Sequence, residues 1–185
     1  PAPPEPGERL LYAIAVGYGV IIIVMLGMVQ VGLLLFFGRQ LLTGAFVYLP
    51  GAIFLVVGFR HFGIDGTYRL YSVIFVLSAA AVLMKSRTAR ALVAAGCLCG
   101  LSSFFAQPRG VLGLGGIGLF LLWENYTDGF NLKRLVQAGS MLAIGFIVTV
   151  LVTQSYFAWQ AGFENYYFSL VTFPQKYYPN DPLNN

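Results

Sequence analysis

No charged residue lies between Arg9 and Arg39. The stretch from Leu10 to Phe37 reads LLYAIAVGYGVIIIVMLGMVQVGLLLFF, and Gln30 is its one strongly polar side chain. A helix of about 20 apolar residues crosses a hydrocarbon core about 30 Å thick. This run is therefore long enough to cross with tilt, or to extend into the headgroups. In lipid every backbone N–H and C=O has to be bonded within the helix. Motifs that depend on the loops of soluble enzymes lose most of their force in such a chain.

The rest of the chain has the same character. Of 185 residues, 58% are hydrophobic and 10% charged, against about 25% charged in a soluble domain. The net charge of +4 comes from 11 Lys and Arg against 7 Asp and Glu. In a membrane protein such an excess sets orientation. No basic stripe interleaved with aromatics lies in a polar region, so nucleic acid is not expected as a partner. Cys97 and Cys99 stand in an apolar stretch, and His61 is the single histidine. A zinc site needs about four ligands; the cysteines read as small buried residues, and neither a metal nor a cofactor is expected.

Charges divide the chain into apolar blocks. The sequence predicts an all-α polytopic membrane protein with spans over residues 10–37, 69–84, 89–106, 110–123 and 135–157. Residues 1–9, PAPPEPGER, form a disordered lead-in without the basic n-region of a signal peptide. Because the chain opens on proline, it reads as a processed or cut piece. Residues 41–59, with Pro50-Gly51 in the middle, are expected to lie as a helix on the membrane surface. Residues 160–185 form an aromatic interfacial tail on the outer side. With a cytoplasmic N-terminus, the dense clusters Lys85-Ser86-Arg87-Thr88-Ala89-Arg90 and Lys133-Arg134 fall on the inner face together with Arg9. Arg39, Arg60, Arg69, Arg109 and Lys176 then fall outside. The positive-inside rule favours this arrangement, that of an integral protein of a plasma (inner) membrane.

Arg109 is the residue that most invites chemistry. It sits in Gln107-Pro108-Arg109-Gly110 between two apolar blocks, where a charge is costly unless it snorkels, pairs or meets an anion. Pro108 and Gly110 are expected to interrupt the helices and leave backbone N–H groups beside the guanidinium, a combination suited to phosphate. A loop arginine touching lipid headgroups is the alternative. The glycines from Gly110 to Gly118 resemble a nucleotide loop only superficially. No strand precedes them and no Lys-Ser/Thr follows, so close helix packing explains them better. Arg60, His61, Asp65 and Arg69 form a second polar cluster. Asp65 is a candidate base, or an ion-pair partner of Arg60 or Arg69.

These residues resemble the GT-C-fold membrane glycosyltransferases, in the branch of protein mannosyltransferases and aminoarabinose transferases. Leu49-Pro50-Gly51 with Phe59-Arg60-His61-Phe62-Gly63 is similar to the juxtamembrane helix of that family and its exit. Arg69-Leu70-Tyr71-Ser72 is similar to the opening of its next membrane helix. Gly100-Leu101-Ser102 with Gln107-Pro108-Arg109-Gly110 is similar to a stretch ending in a basic residue and glycine. The resemblance implies transfer of a sugar from a polyprenyl-phosphate donor to an acceptor on the outer face. Arg109, Arg60, His61 and Asp65 would then bind substrate, and the bilayer and the lipid-linked sugar would be the partners. Two features depart from the family pattern. Gly38 to Tyr48 contains no Asp or Glu where an early catalytic acid is expected, and Ala106-Gln107 replace Thr-Lys/Arg. The catalytic residue stays unassigned. A non-enzymatic transport or assembly subunit, or an inactive remnant, remains as the alternative.

Overall fold

The computed structural model describes residues 6–58, 67–172 and 176, and it is all-α, with no strand among the described residues. The first helix, α1, is Pro6–Leu41. Three short turns of different pitch follow. They are a 3₁₀ turn at Gly44–Tyr48, the helix α2 at Leu49–Ile53 with Pro50 in its first turn, and a wider π turn at Phe54–Gly58. The chain continues with α3, Thr67–Lys85, α4, Ala89–Phe105, α5, Gln107–Thr127, and α6, Leu132–Ala161. A short α7, Phe163–Tyr167, follows Gly162.

Local chemistry sets the ends of these helices. Thr88 caps α4, its side chain accepting from Ala91 N, and Asn131 caps α6, accepting from Arg134 N at 3.1 Å. Each satisfies an N–H that the first helical turn leaves without an internal partner. Between α5 and α6 the chain turns through Gly129, at φ 88°, a backbone conformation open to glycine. At the far end of α6, Tyr166 Oη donates to Gln154 at 2.6 Å and holds α7 back against α6.

Helix α4 is the centre of the bundle and packs on α3, α5 and α6. Its contact with α6 is made by glycines. A Cβ on Gly96 would overlap the Leu142 carbonyl, and one on Gly145 would overlap the Val93 carbonyl. A Cβ on Gly100 would fall 2.8 Å from Thr149 Cβ. Gly96 and Gly100 are four residues apart, the spacing that lets membrane helices bring their backbones together. Facing positions rise together along both helices, so α4 and α6 run parallel, with α5 antiparallel between them in the chain.

The interior mixes leucines with small and polar side chains. Gln30, Cys99, Ser72 and Ser102 are the largest fully buried side chains, and the apolar core around Ala79, Leu92, Ala95, Leu121 and Leu142 is compact. Ser102 Oγ donates to Ser72 O at 2.9 Å. Its proton is thereby used, so Ser72 Oγ is the donor in the 2.7 Å Ser72–Ser102 contact. Gln30 Nε2 donates to Leu70 O at 2.9 Å and ties α1 to α3. Other large apolar side chains point outward: Ile14, Val20, Met25 and Met28 on α1, and Val136, Ile147, Leu151 and Val152 on α6, are all exposed.

Two helices are long and apolar enough to cross a membrane, Ile14–Leu41 and Leu132–Ala161. At about 1.5 Å per residue the 36 residues of α1 extend about 54 Å. Helices α3 and α4, of 19 and 17 residues, reach only about 28 and 25 Å by the same measure. Helix α5 carries Gln107, Arg109 and Glu124 within its length and is less apolar. Of the five segments expected as spans, two are thus helices long and apolar enough to cross, and the other three are helices of shorter or more polar make-up. Over 41–59, where one surface helix is expected, the described part is the run of three turns, folded back along α1. A Cβ added to Gly51 would lie 3.7 Å from side-chain carbons of Val31 and Leu35.

Candidate functional site

Of the four residues expected to bind substrate, the structure places Arg109. Arg60, His61 and Asp65 fall in 59–66, outside the described residues.

The turn that carries Arg109 differs from the sequence expectation. The break between α4 and α5 is at Ala106, which is extended at φ −151° and ψ 95°. Pro108 lies in the first turn of α5, where its fixed φ suits a helix and its missing N–H is no loss. Arg109 N donates to Ala106 O at 3.0 Å and Gly110 N to the same oxygen at 3.3 Å. Pro108 and Gly110 thus begin a helix rather than interrupt one, and neither Arg109 nor Gly110 offers an open amide. Gly110 is buried, packed so closely that a Cβ there would collide with Ser103 and the Cys99 carbonyl. The half-buried Arg109 therefore stands on the first turn of α5. Aromatic rings gather beside this turn. Phe105 stacks on Tyr71 and Phe75 with centroids 5.0 and 5.8 Å apart, and Phe104 stacks on Phe157 at 5.4 Å.

The opposite end of the bundle holds an ion pair that sequence reasoning missed. Arg87, in the turn between α3 and α4, meets Glu124 of α5. Its Nε lies 3.0 and 3.2 Å from the two carboxylate oxygens, and its Nη2 donates at 3.1 Å. Its Nη1 donates to Leu83 O. The guanidinium carbon lies 5.0 Å from the centroid of the Phe120 ring. A second, looser pair joins Arg134 to Asp128 at 3.7 Å, with both side chains mostly exposed. Asn125 is buried. With its amide oriented to satisfy both partners, it bridges the N–H and C=O of Asn131 at 3.3 and 3.2 Å. These groups line a cavity of about 190 Å³ between α4, α5 and α6, floored by Leu92, Leu121 and Met141. A lone acid 37 residues downstream of a basic cluster is the signal available in the sequence, and alternation of helices is what brings the two together.

Among the described residues no group of three His, Cys, Asp or Glu is placed to hold a metal. Glu124 and Asp128 are paired with arginines at the end away from Arg109. Glu164 is the one described acid beyond α6. No protein-family model, curated protein or solved structure matches the chain.

Proposed function

We propose that this chain is a membrane-embedded helical unit that acts as a glycosyltransferase, or part of one, on a polyprenyl-phosphate-linked sugar. The membrane reading is carried by the apolar outer surface of the two long helices. Leucine, isoleucine, valine and methionine line the outside of α1 and α6. Only 6% of the most apolar 18 residues of α1 and 11% of those of α6 are buried, which separates both from the core helix of a soluble protein. α1 is also far longer than the 7–15-residue apolar core, roughly, of a signal peptide. The polytopic arrangement follows if α3, α4 and α5, bonded to one another through small residues, cross beside the two long helices.

The donor reading rests on Arg109 and the family resemblance around it. A guanidinium on the first turn of a helix, next to an aromatic layer, is chemically suited to a lipid phosphate. It would oppose the charge that develops on the departing phosphate. The test is binding of a polyprenyl phosphate to the full chain in nanodiscs. Arg109→Ala should weaken it about tenfold or more, since a lost charged hydrogen bond is worth roughly 1.5–3 kcal/mol. Arg109→Lys should recover part, because lysine keeps the charge without the planar fork. Arg39→Ala, in the last turn of α1, is the comparison cation. Equal binding by the wild type and Arg109→Ala would remove the donor reading. One observation favours the non-enzymatic alternative: the described acids Glu124 and Asp128 are held in ion pairs at the other end of the bundle.

A further inference from the structure

The end of the bundle opposite Arg109 concentrates positive charge beyond what its ion pairs consume. Lys85 closes α3, Arg87 lies in the following turn, Arg90 opens α4, and Lys133 and Arg134 open α6. The Arg87–Glu124 pair and the cavity shared by Arg87, Ala89, Arg134 and Gln137 show that the two turns carrying these cations meet at one end. Five cations face two acids there. Glu124 is taken by Arg87 and Asp128 by Arg134, while Lys85, Arg90 and Lys133 are exposed and have no ion-pair partner among the described residues.

Trp123 and Tyr126, 67% and 71% exposed, project from the last turns of α5 at this same end. Tryptophan and tyrosine settle at the headgroup level of a bilayer, and lysine and arginine stems reach from apolar surface to that level. The unneutralised cations and the aromatic rings therefore mark one depth. We infer that this end is a docking surface for the headgroups of anionic phospholipids, with Lys85, Arg90 and Lys133 taking the phosphates. A zwitterionic headgroup brings its own ammonium to the phosphate and gains little from three further cations. An anionic one gains about fivefold in affinity per nearby Lys or Arg. The inference rests on the membrane reading of the chain and is independent of the donor reading at Arg109.

The experiment titrates the full chain in detergent micelles with tail-labelled phosphatidylglycerol and, separately, tail-labelled phosphatidylcholine, and follows anisotropy. Phosphatidylglycerol should bind roughly a hundredfold more tightly, and raising the salt should narrow the difference. Lys85→Gln/Arg90→Gln/Lys133→Gln should bring phosphatidylglycerol close to the phosphatidylcholine value, a loss of roughly a hundredfold. Should the triple variant lose its helical signal, the three single variants serve in its place, each with a loss of about fivefold. Equal binding of the two lipids by the wild type would overturn the inference, as would unchanged preference in the folded variants. Displacement of the lipid by glycerol phosphate, at concentrations matching the lipid's own, would also overturn it and identify a site for soluble phosphates. A chain that stays monodisperse in buffer without detergent would refute the membrane reading itself, which distinguishes the two failures.

Discussion

Arg87 donates from all three of its guanidinium nitrogens within the molecule. The Nε and Nη2 groups grip Glu124, Nη1 reaches Leu83 O, and the flat face lies near Phe120. Both side chains of the ion pair are about one-third exposed, so water screens part of the attraction, but the geometry is a fork and not a point contact. Read from the sequence alone, Arg87 is one more cation on the inner side; in the structure it fastens the α3–α4 turn to α5. Arg87→Ala should therefore destabilise the protein by about 0.5–1.5 kcal/mol, because it removes a charged fork that water partly screens. Arg87→Lys should restore only part. In a double-mutant cycle with Glu124→Ala, the combined loss should be smaller than the sum of the single losses. Denaturant titration in detergent, read by circular dichroism, measures all four proteins. Strict additivity would mean that the pair contributes nothing as a pair.

At the scale of helices, glycine separates into two kinds. Gly96 and Gly145 sit where α4 and α6 touch backbone to backbone, and a Cβ at either would overlap a carbonyl of the other helix. Backbone cannot yield as a flexible side chain does, so Gly96→Ala should cost about 1–3 kcal/mol by forcing the helices apart. At Gly116, on α5, an added Cβ meets nothing within 4 Å. Gly116→Ala should be neutral or stabilise by up to about 1 kcal/mol through helix propensity. Thermal unfolding of the two variants in one detergent would show opposite shifts, and a larger loss at Gly116 would contradict the packing described. This contrast also shows what can be read in the sequence. The turns at 86–88 and 128–131 are legible because charges punctuate the apolar blocks there. The all-α class is legible for the same reason. The start of α5 is not, because Pro108 reads equally as a break or as a first turn, and only the hydrogen bonds to Ala106 O decide. The Ser72–Ser102 and Gln30–Leu70 bonds join residues 30 and 40 apart; no local pattern announces such pairs. Of the expected site, Arg109 is found on a helix instead of in an open turn.

For the whole molecule, the decisive matter is which way the bundle faces. From α3 to α6 the helices alternate, so the turn at 86–88 and the start of α6 share one end, and the turn at Ala106 lies at the other. The first end carries Lys85, Arg87, Arg90, Lys133 and Arg134, while the second carries Arg109 on the first turn of α5. A membrane that enforces the positive-inside rule would hold the first end in the cytoplasm. The prediction follows in a background where Cys97 and Cys99 are replaced by alanine and serine. Ser86→Cys and Lys133→Cys should react only with thiol reagents that enter the cell, and Gln107→Cys should react with reagents that stay outside. Ser86 and Gln107 are separated by one pass of α4, the 17-residue helix Ala89–Phe105. Labelling of both from the same side would therefore show that α4 does not cross. Opposite-sided labelling with Ser86 outside would keep the crossing and invert the orientation. Only labelling of Ser86 and Lys133 from within, and of Gln107 from without, sets Arg109 on the outer face, where the donor reading places the lipid phosphate.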